Sequence, residues 1–361
     1  MLSHFIWLNL AVEGTIIINT ESYTFSEFTT ITLPKGLDWA SNTQAFIKDW
    51  LKDKSSFTLQ TSGSTGKPKN IDLLRAQMIA SAEATIQHLN IPTGASALLC
   101  MNPDMVGGRM MLVRALIGNW QLHILPASSS PIIPNALDFT AMVPLQVLEL
   151  MKSAEGVSFL NRIDQLIIGG AKVDEDLLDK LQLLKTKVYQ TFGMTETVSH
   201  IALKPINGDN RVNSYQLIGD NQIKVDEHGR LKVKGTVTKN QWIETNDLVE
   251  PTENGFHWLG RLDLVVNSGG VKISVEPLEK ELSNYFNTSV WVWKVPNEKL
   301  GEQLVGLTES QELIDKVNNS YHTLKDEFKK YHLPKRWVLV RKWCFTASGK
   351  PNRQETLLDN S

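Results

Sequence analysis

The most distinctive run of chemistry-bearing residues is Thr61-Ser62-Gly63-Ser64-Thr65-Gly66-Lys67-Pro68-Lys69. Its glycines let backbone N–H groups curl around an anion, its hydroxyls add donors and its lysines add positive charge, so the composition suits a phosphate. The competing reading is a solvated turn. Two familiar motifs are excluded. A Walker A loop has four residues between its glycines and Ser or Thr after the lysine, whereas two residues separate Gly63 from Gly66 and Pro68 follows Lys67. The S-x-x-K of penicillin-binding enzymes needs a helix, which Gly63, Gly66 and Pro68 oppose, and its companion S-D-N and K-T-G motifs are missing.

Five further blocks follow in order: Phe192-Gly193-Met194-Thr195-Glu196, Thr245-Asn246-Asp247, Gly260-Arg261-Leu262-Asp263, Ser268-Gly269-Gly270-Val271-Lys272-Ile273 and Ser348-Gly349-Lys350. Each has a bland reading by itself, Glu196 as a helix-cap acid, Asp247 as a turn residue, Lys350 as part of a frayed terminal turn. Taken together in this order, the blocks resemble the acyl-CoA synthetase, luciferase and nonribosomal-peptide adenylation superfamily, over about residues 57–353.

The resemblance implies an ATP-dependent acid–thiol ligase that forms an acyl-AMP and then transfers the acyl group to coenzyme A. Thr61 to Lys69 would hold the β- and γ-phosphates of ATP. Thr195 would bond the α-phosphate and Glu196 would ligate Mg²⁺, a hard cation suited to carboxylate oxygen. Phe192, where the family usually has tyrosine, would stack on adenine beside a backbone wall of Gly169, Gly170 and Ala171, with Gly193 and Met194 in the same site. Asp247 and Arg261 would hold the ribose, and Asn246 stands where the family more often has glycine. Lys350 would stabilise the charge that builds as the carboxylate attacks phosphorus. Asp263 takes the hinge position, and Gly269, Gly270 and Lys272 would line a channel for the thiol.

The loop begins earlier in the chain than in most members of the family. Together with Pro103 to Arg109, this compact form looks most like short o-succinylbenzoate–CoA ligases of menaquinone synthesis. Candidates for the carboxylate that is not activated are Arg109, Lys172, Ser199 and His200, with His200 also readable as a core histidine. The alternatives are an adenylation domain loading a carrier protein, a synthetase for another acid, and a nucleotide-binding regulator that lost the chemistry.

The elements that must position these groups follow from periodicity. Apolar runs at 57–59, 97–101, 122–125 and 166–168 read as buried strands alternating with helices at 74–89 and 174–184, an α/β pattern. After residue 207, hairpin signals around 226–229 and 252–255 indicate a β-rich subdomain. Beyond 264, a helix near 277–286, strands at 290–295 and 303–307 and a helix at 313–331 make a small α+β domain, giving domains 1–261 and 262–361. Lys350 would then sit on a mobile domain opposite the nucleotide loop.

A formal charge of -2 with 42% hydrophobic residues gives no basic footprint for nucleic acid. Cys100 and Cys344, the two cysteines, lack disulfide or zinc spacing and read as core. The apolar stretch 5–12 lacks a basic leading segment and is too short to cross a bilayer, so the expectation is a cytoplasmic protein without membrane insertion. Nothing in the sequence speaks to oligomeric state.

Overall fold

The structure, a computed structural model, describes residues 14–60, 70–171, 173–345 and 351–361. The apolar stretch 5–12, the glycine-rich loop 61–69, Lys172 and Ser348-Gly349-Lys350 lie outside the described residues.

Among the described residues a hairpin of β1 (Thr15–Ile18) and β2 (Glu21–Thr24) comes first, and a capping box of Thr24 and Glu27 starts the one-turn helix α1 (Phe25–Phe28). Helix α2 (Ser41–Leu51) precedes β3 (Ser56–Gln60) and β4 (Asn70–Leu74), which among the described residues pair only with each other and which flank the glycine-rich loop in the sequence. There follow α3 (Arg75–His88), β5 (Ser96–Leu99), α4 (Val106–Gly118), β6 (Gln121–Ile124) and β7 (Leu137–Met142). Next come α5 (Pro144–Leu150), α6 (Ala154–Leu160), β8 (Ile163–Ile168), α7 (Glu175–Leu181) and β9 (Lys187–Gly193). Local chemistry sets the helix limits: Pro144 starts α5, Ser153 and Asp174 cap α6 and α7 through their side chains, and Asn119, at φ 54°, ends α4.

Strands β1, β6, β5, β7, β8 and β9 lie side by side and parallel. Their side chains divide by the period of two. Ala97, Leu99 and Phe139 join Met78, Ala82 and Leu112 from α3 and α4 on one face, while Leu98, Met142 and Leu166 join Val147, Phe159 and Leu177 on the other. Helices therefore cover both faces of the sheet.

The β-rich stretch extends this sheet instead of standing apart. It comprises β10 (His200–Pro205), β11 (Tyr215–Leu217), β12 (Gln222–Val225), β13 (Arg230–Lys234), β14 (Ile243–Thr252) and β15 (Gly255–Arg261). Strand β10 pairs antiparallel with β9, β11 with β10 and β15, and the series runs on to β12 as one thirteen-stranded sheet. Hairpin signals reveal that strands pair with their sequence neighbours, but not that β11 also pairs with β15, with three strands between them along the chain.

After Arg261 a second sheet forms from β16 (Val265–Ser268), β17 (Val271–Ser274), β18 (Trp291–Asn297), β19 (Gly301–Thr308) and β20 (Arg336–Leu339). It carries α8 (Val275–Phe286), α9 (Gln311–Leu324) and α10 (Arg353–Asn360). Its cores are its own: Val266, Leu278, Val292 and Val317 in one, and Val305, Val338 and Leu357 with Trp291, Trp293 and Trp343 in the other. Helix α9 stops at Leu324, short of the expected 331, and Ser320 inside it is already non-helical (φ -122°, ψ 16°). The run Asn318-Asn319-Ser320 explains the weakness, since these side chains compete for backbone hydrogen bonds. Lys280 on α8 meets Glu175 on α7 at 2.5 Å, joining the two parts through exposed charges. No helix of the described residues is long and apolar enough to cross a membrane.

Candidate active site

The carboxyl ends of parallel strands are where open α/β sheets bind ligands. Here those of β7, β8 and β9 are adjacent. Gly169, just past β8, donates its N–H to the Met142 carbonyl at 3.1 Å. A Cβ at this position would come 2.5 Å from Thr191 Oγ1, so β8 and β9 approach closely here and a side chain would have to displace the Thr191 hydroxyl. Gly170 adopts φ +84°, and Ala171 follows it. On β9 the half-buried Phe192 ring meets Phe256 edge-on at 5.0 Å and Tyr215 at 5.5 Å, so two aromatic neighbours hold it. Gly193, Met194 and Thr195 continue from the same strand end.

From there the chain doubles back within a few residues. A Cβ on Gly193 would lie 2.1 Å from the Ser199 carbonyl oxygen, which only glycine permits. Buried Thr197 holds the turn: its Oγ1 accepts from the Met194 amide at 3.0 Å and lies within donating distance of the Met194 and Ser199 carbonyls at 3.0 and 2.8 Å. Val198 adopts φ 68°, ψ -52°, and the Ser199 amide donates across it to Thr197 O at 2.7 Å. That is a γ-turn of the rare strained kind, held by a fully buried β-branched residue. The turn leaves Glu196 exposed while Ser199 and His200 face inward, His200 at 5% exposure.

A second group lies where β14 meets β15. Asp247 and Arg261 are paired across the two strands. Asp247 Oδ1 accepts from Trp258 Nε1 at 2.8 Å, and its amide donates to Thr245 Oγ1 at 3.0 Å. Arg261 forks onto Asp263, Nε to Oδ1 at 2.9 Å and Nη2 to Oδ2 at 2.7 Å. This hydrogen bonding raises the Arg261 pKa against the effect of burial. Burial pushes the Asp263 carboxyl up, but the bonds from Arg261 hold it below its ordinary value.

On the smaller sheet, Gly269 and Gly270 form the two-residue hairpin between β16 and β17, with φ of +58° and +83°. Turn geometry therefore demands both glycines, and a Cβ on Gly270 would meet nothing within 4 Å. Lys272 is exposed on β17. The segment that contains Lys350 is anchored on both sides. Phe345 bridges Pro351, and the Asn352 amide donates to the Cys344 carbonyl at 2.9 Å. Arg353 then forks onto Glu279 of α8 with two bonds of 2.6 Å, both residues buried, while Glu279 Oε1 also accepts from the Val292 amide at 2.8 Å.

Among the acid-binding candidates, Arg109 already has partners of its own. Its guanidinium lies 4.4 Å over the Phe46 ring, Nε donates to the Pro103 carbonyl at 2.7 Å and Nη2 reaches Asp104 at 3.4 Å, so it braces the start of α4. A fully buried guanidinium without a carboxylate partner among the described residues is that of Arg114, further along that helix. It is 1% exposed, Nη2 donates to Ser199 Oγ at 3.3 Å, the Met111 sulfur lies 3.9 Å from Nη1, and Nε has no partner. No carboxylate among the described residues pairs with it, and burial lowers its pKa to about 9. A charge alone in the apolar run from Met110 to Gly118 was the available signal, because such an arginine lies either at a surface or in a site with a use for it. His200 joins the same cluster through Ser199 Oγ at 3.4 Å and Thr85 Oγ1 at 3.0 Å.

A depression lined by Asp138, Arg162, Asp164 and Lys185 opens at the opposite, amino end of β7 and β8, the wrong end for a ligand of this sheet. The described residues contain no cluster of three acidic, histidine or cysteine ligands. Magnesium does not require one, since it commonly takes one or two carboxylates with phosphate oxygens and water. The single exposed carboxylate of Glu196 fits that requirement.

Such an arrangement, strand-end glycine turns beside an aromatic ring and a smaller sheet bearing its own core, is the fold of adenylate-forming enzymes. Residues 14–238 match the family described as AMP-binding enzyme, and the chain belongs to that family. It is similar to a solved acyl-CoA synthetase (AMP-forming)/AMP-acid ligase II-like protein of Dyadobacter fermentans, at 34% identity and a TM-score of 0.65 over 93% of this chain and 98% of that one. A 2-succinylbenzoate–CoA ligase of Listeria monocytogenes is 25% identical over 86% of this chain and 71% of its own. The o-succinylbenzoate CoA synthetase of Bacillus subtilis, solved with an acyl-adenylate, shares the fold at a TM-score of 0.70 with 20% identity, over 84% of this chain and 69% of that one.

Proposed function

We propose that the protein is an AMP-forming acid–coenzyme A ligase whose acid is an aromatic dicarboxylate of the o-succinylbenzoate kind. The observation that carries the choice of acid is Arg114, a buried guanidinium without a carboxylate partner among the described residues, joined through Ser199 to the turn that bears Thr195 and Glu196. A charge so placed is costly unless a ligand completes it. The names of the curated relatives support the same acid.

In this reading an oxygen of the activated carboxylate attacks the α-phosphorus of ATP, and pyrophosphate leaves. The coenzyme A thiol then adds to the acyl carbonyl, giving up its proton as AMP departs. Gly169 to Ala171 and Phe192 flank adenine, while Asp247 and Arg261 hold the sugar. Residues 61–69 cradle the phosphates, Thr195 bonds the α-phosphate, and Glu196 would hold magnesium, which neutralises phosphate charge when bound. Lys350 supplies the cation for the first step, on a domain 262–361 that moves about Asp263 relative to 1–261. Gly269, Gly270 and Lys272 line the path of the thiol. The setting is cytoplasmic.

The test is a panel of acids, including o-succinylbenzoate and simple fatty acids, assayed for coenzyme A-dependent AMP release. Activity on fatty acids and none on the diacid overturns the substrate, and dependence on a phosphopantetheinylated protein overturns the acceptor. Lys350→Ala should block acyl-AMP formation yet spare thioester formation from supplied acyl-AMP; equal loss of both rejects the moving-domain scheme.

A further inference from the structure

Three elements converge on a chain of hydrogen bonds whose proton positions can be deduced. Arg114 is on α4, Ser199 immediately precedes β10, His200 begins it, and Thr85 and Ser81 are on α3. The end groups fix the direction. The Ser81 carbonyl can only accept, so the Thr85 hydroxyl, 3.0 Å away, gives it its proton. Thr85 Oγ1 then accepts from His200 Nε2 at 3.0 Å, which puts the ring proton on Nε2. A neutral ring so protonated has a bare Nδ1, which receives the Ser199 hydroxyl at 3.4 Å. The Ser199 oxygen is left to accept from Arg114 Nη2 at 3.3 Å, and a guanidinium can only donate. Each link carries one proton, and both ends agree.

We infer that His200 and Thr85 are positioning residues for acid recognition, which through Ser199 fix the guanidinium of Arg114 in the orientation that receives the carboxylate not undergoing activation. The inference rests on the proposed diacid reading and adds to it how the cation is held. Burial, then the Arg114 and His88 charges, disfavour a charged His200, so the surroundings support the neutral ring that the relay requires. A second ring proton, on Nδ1, would turn the Ser199 hydroxyl around and set two donors against each other. At its Arg114 end the relay leaves Nε without a partner, a buried donor available to an incoming oxygen.

Two measurements test this. Long-range proton–nitrogen correlation spectra of histidine-labelled protein, with His200 assigned by its loss in His200→Gln, should show the neutral Nε2–H tautomer, and Thr85→Val should shift the ring towards a mixture. In pyrophosphate exchange, Thr85→Val should raise KM for o-succinylbenzoate about tenfold, the effect of one lost hydrogen bond. KM for ATP, and for the analogue lacking the second carboxylate, should stay within about twofold, and Thr85→Ser should restore the wild-type value. An Nδ1–H or protonated His200 in the wild type overturns the relay. So does a Thr85→Val variant with unchanged KM for the diacid. Wild-type enzyme that fails to prefer the diacid over its analogue overturns the diacid reading instead, and the spectrum still decides the relay. Should Thr85→Val not fold, the wild-type tautomer remains decisive.

Discussion

Arg261 grips both carboxylate oxygens of Asp263 with one edge of its guanidinium, at 2.9 and 2.7 Å, where the thirteen-stranded sheet ends and the chain enters the smaller one. The residue proposed to hold the ribose is therefore fixed by the residue proposed as the hinge. Both are partly exposed, so the pair contributes little to stability, about 0–1 kcal/mol. Asp263→Ala should leave the melting temperature nearly unchanged but raise KM for ATP about three- to tenfold, corresponding to loss of a partly exposed oriented pair. Unaltered ATP dependence in pyrophosphate exchange would separate the two roles.

Arg114 presents the opposite balance. Its burial without a counter-charge disfavours the folded state, so Arg114→Leu should hold or raise the melting temperature. The same change should weaken the diacid by about 10- to 100-fold, the range for hydrogen bonds to a charged group. A variant that melts lower and still discriminates the diacid contradicts both halves of this account.

Glu279 and Arg353 are buried together beside the segment that carries Lys350. Removing one partner leaves a buried charge, so Arg353→Met should destabilise by about 3–5 kcal/mol in urea unfolding. The double change with Glu279→Leu should recover much of that loss. Equal destabilisation in the single and double variants would mean that the arginine contributes by packing alone.

Burial, then the Arg114 charge, then His88 hold the His200 pKa well below its ordinary value of 6.5. The unfolded chain takes up a proton at this histidine as pH falls through about 6.5, while the folded chain does not. Stability from this group is full above that pH and declines below it, at up to about 1.4 kcal/mol per pH unit. His88 and His123, also lowered by burial, act in the same direction. Urea midpoints between about pH 5 and 8 should therefore fall less steeply on acidification for His200→Gln than for wild type; parallel curves would place the titration elsewhere.

The sequence disclosed the alternation of buried strands and helices because Leu98, Leu166 and Met78 obey local periods. It disclosed the order of the functional blocks because Gly193 and Gly269 answer local backbone demands. It did not disclose that β11 pairs with β15 and so carries the β-rich stretch onto the main sheet, a pairing between strands distant in sequence. Nor did it separate Arg109 from Arg114: both are arginines in one helix, and Phe46 and Pro103, which occupy the first, reach it only through the fold. Glu279 and Arg353 escaped for the same reason, being 74 residues apart.

Gly193 offers a sharper test of the site backbone. Gly193→Ala would press a methyl group 2.1 Å from the Ser199 carbonyl, a backbone atom that cannot swing aside. Folded protein with normal KM for ATP and acid would show that the turn can relax, whereas the expected result is loss of acyl-AMP formation together with a lower melting temperature.

The γ-turn at Val198 sets a limit on improving this protein. A β-branched residue at φ 68° holds the backbone about 1–3 kcal/mol above a relaxed conformation, in a turn where glycine would sit without strain. Selection for heat resistance alone would favour leaving that conformation, and Ser199 and His200 would lose their alignment as it relaxed. Thermostable variants of this chain are therefore better sought at the exposed edge strands β2 and β12, far along the sheet from the turn, than at the residue whose discomfort keeps the site in shape.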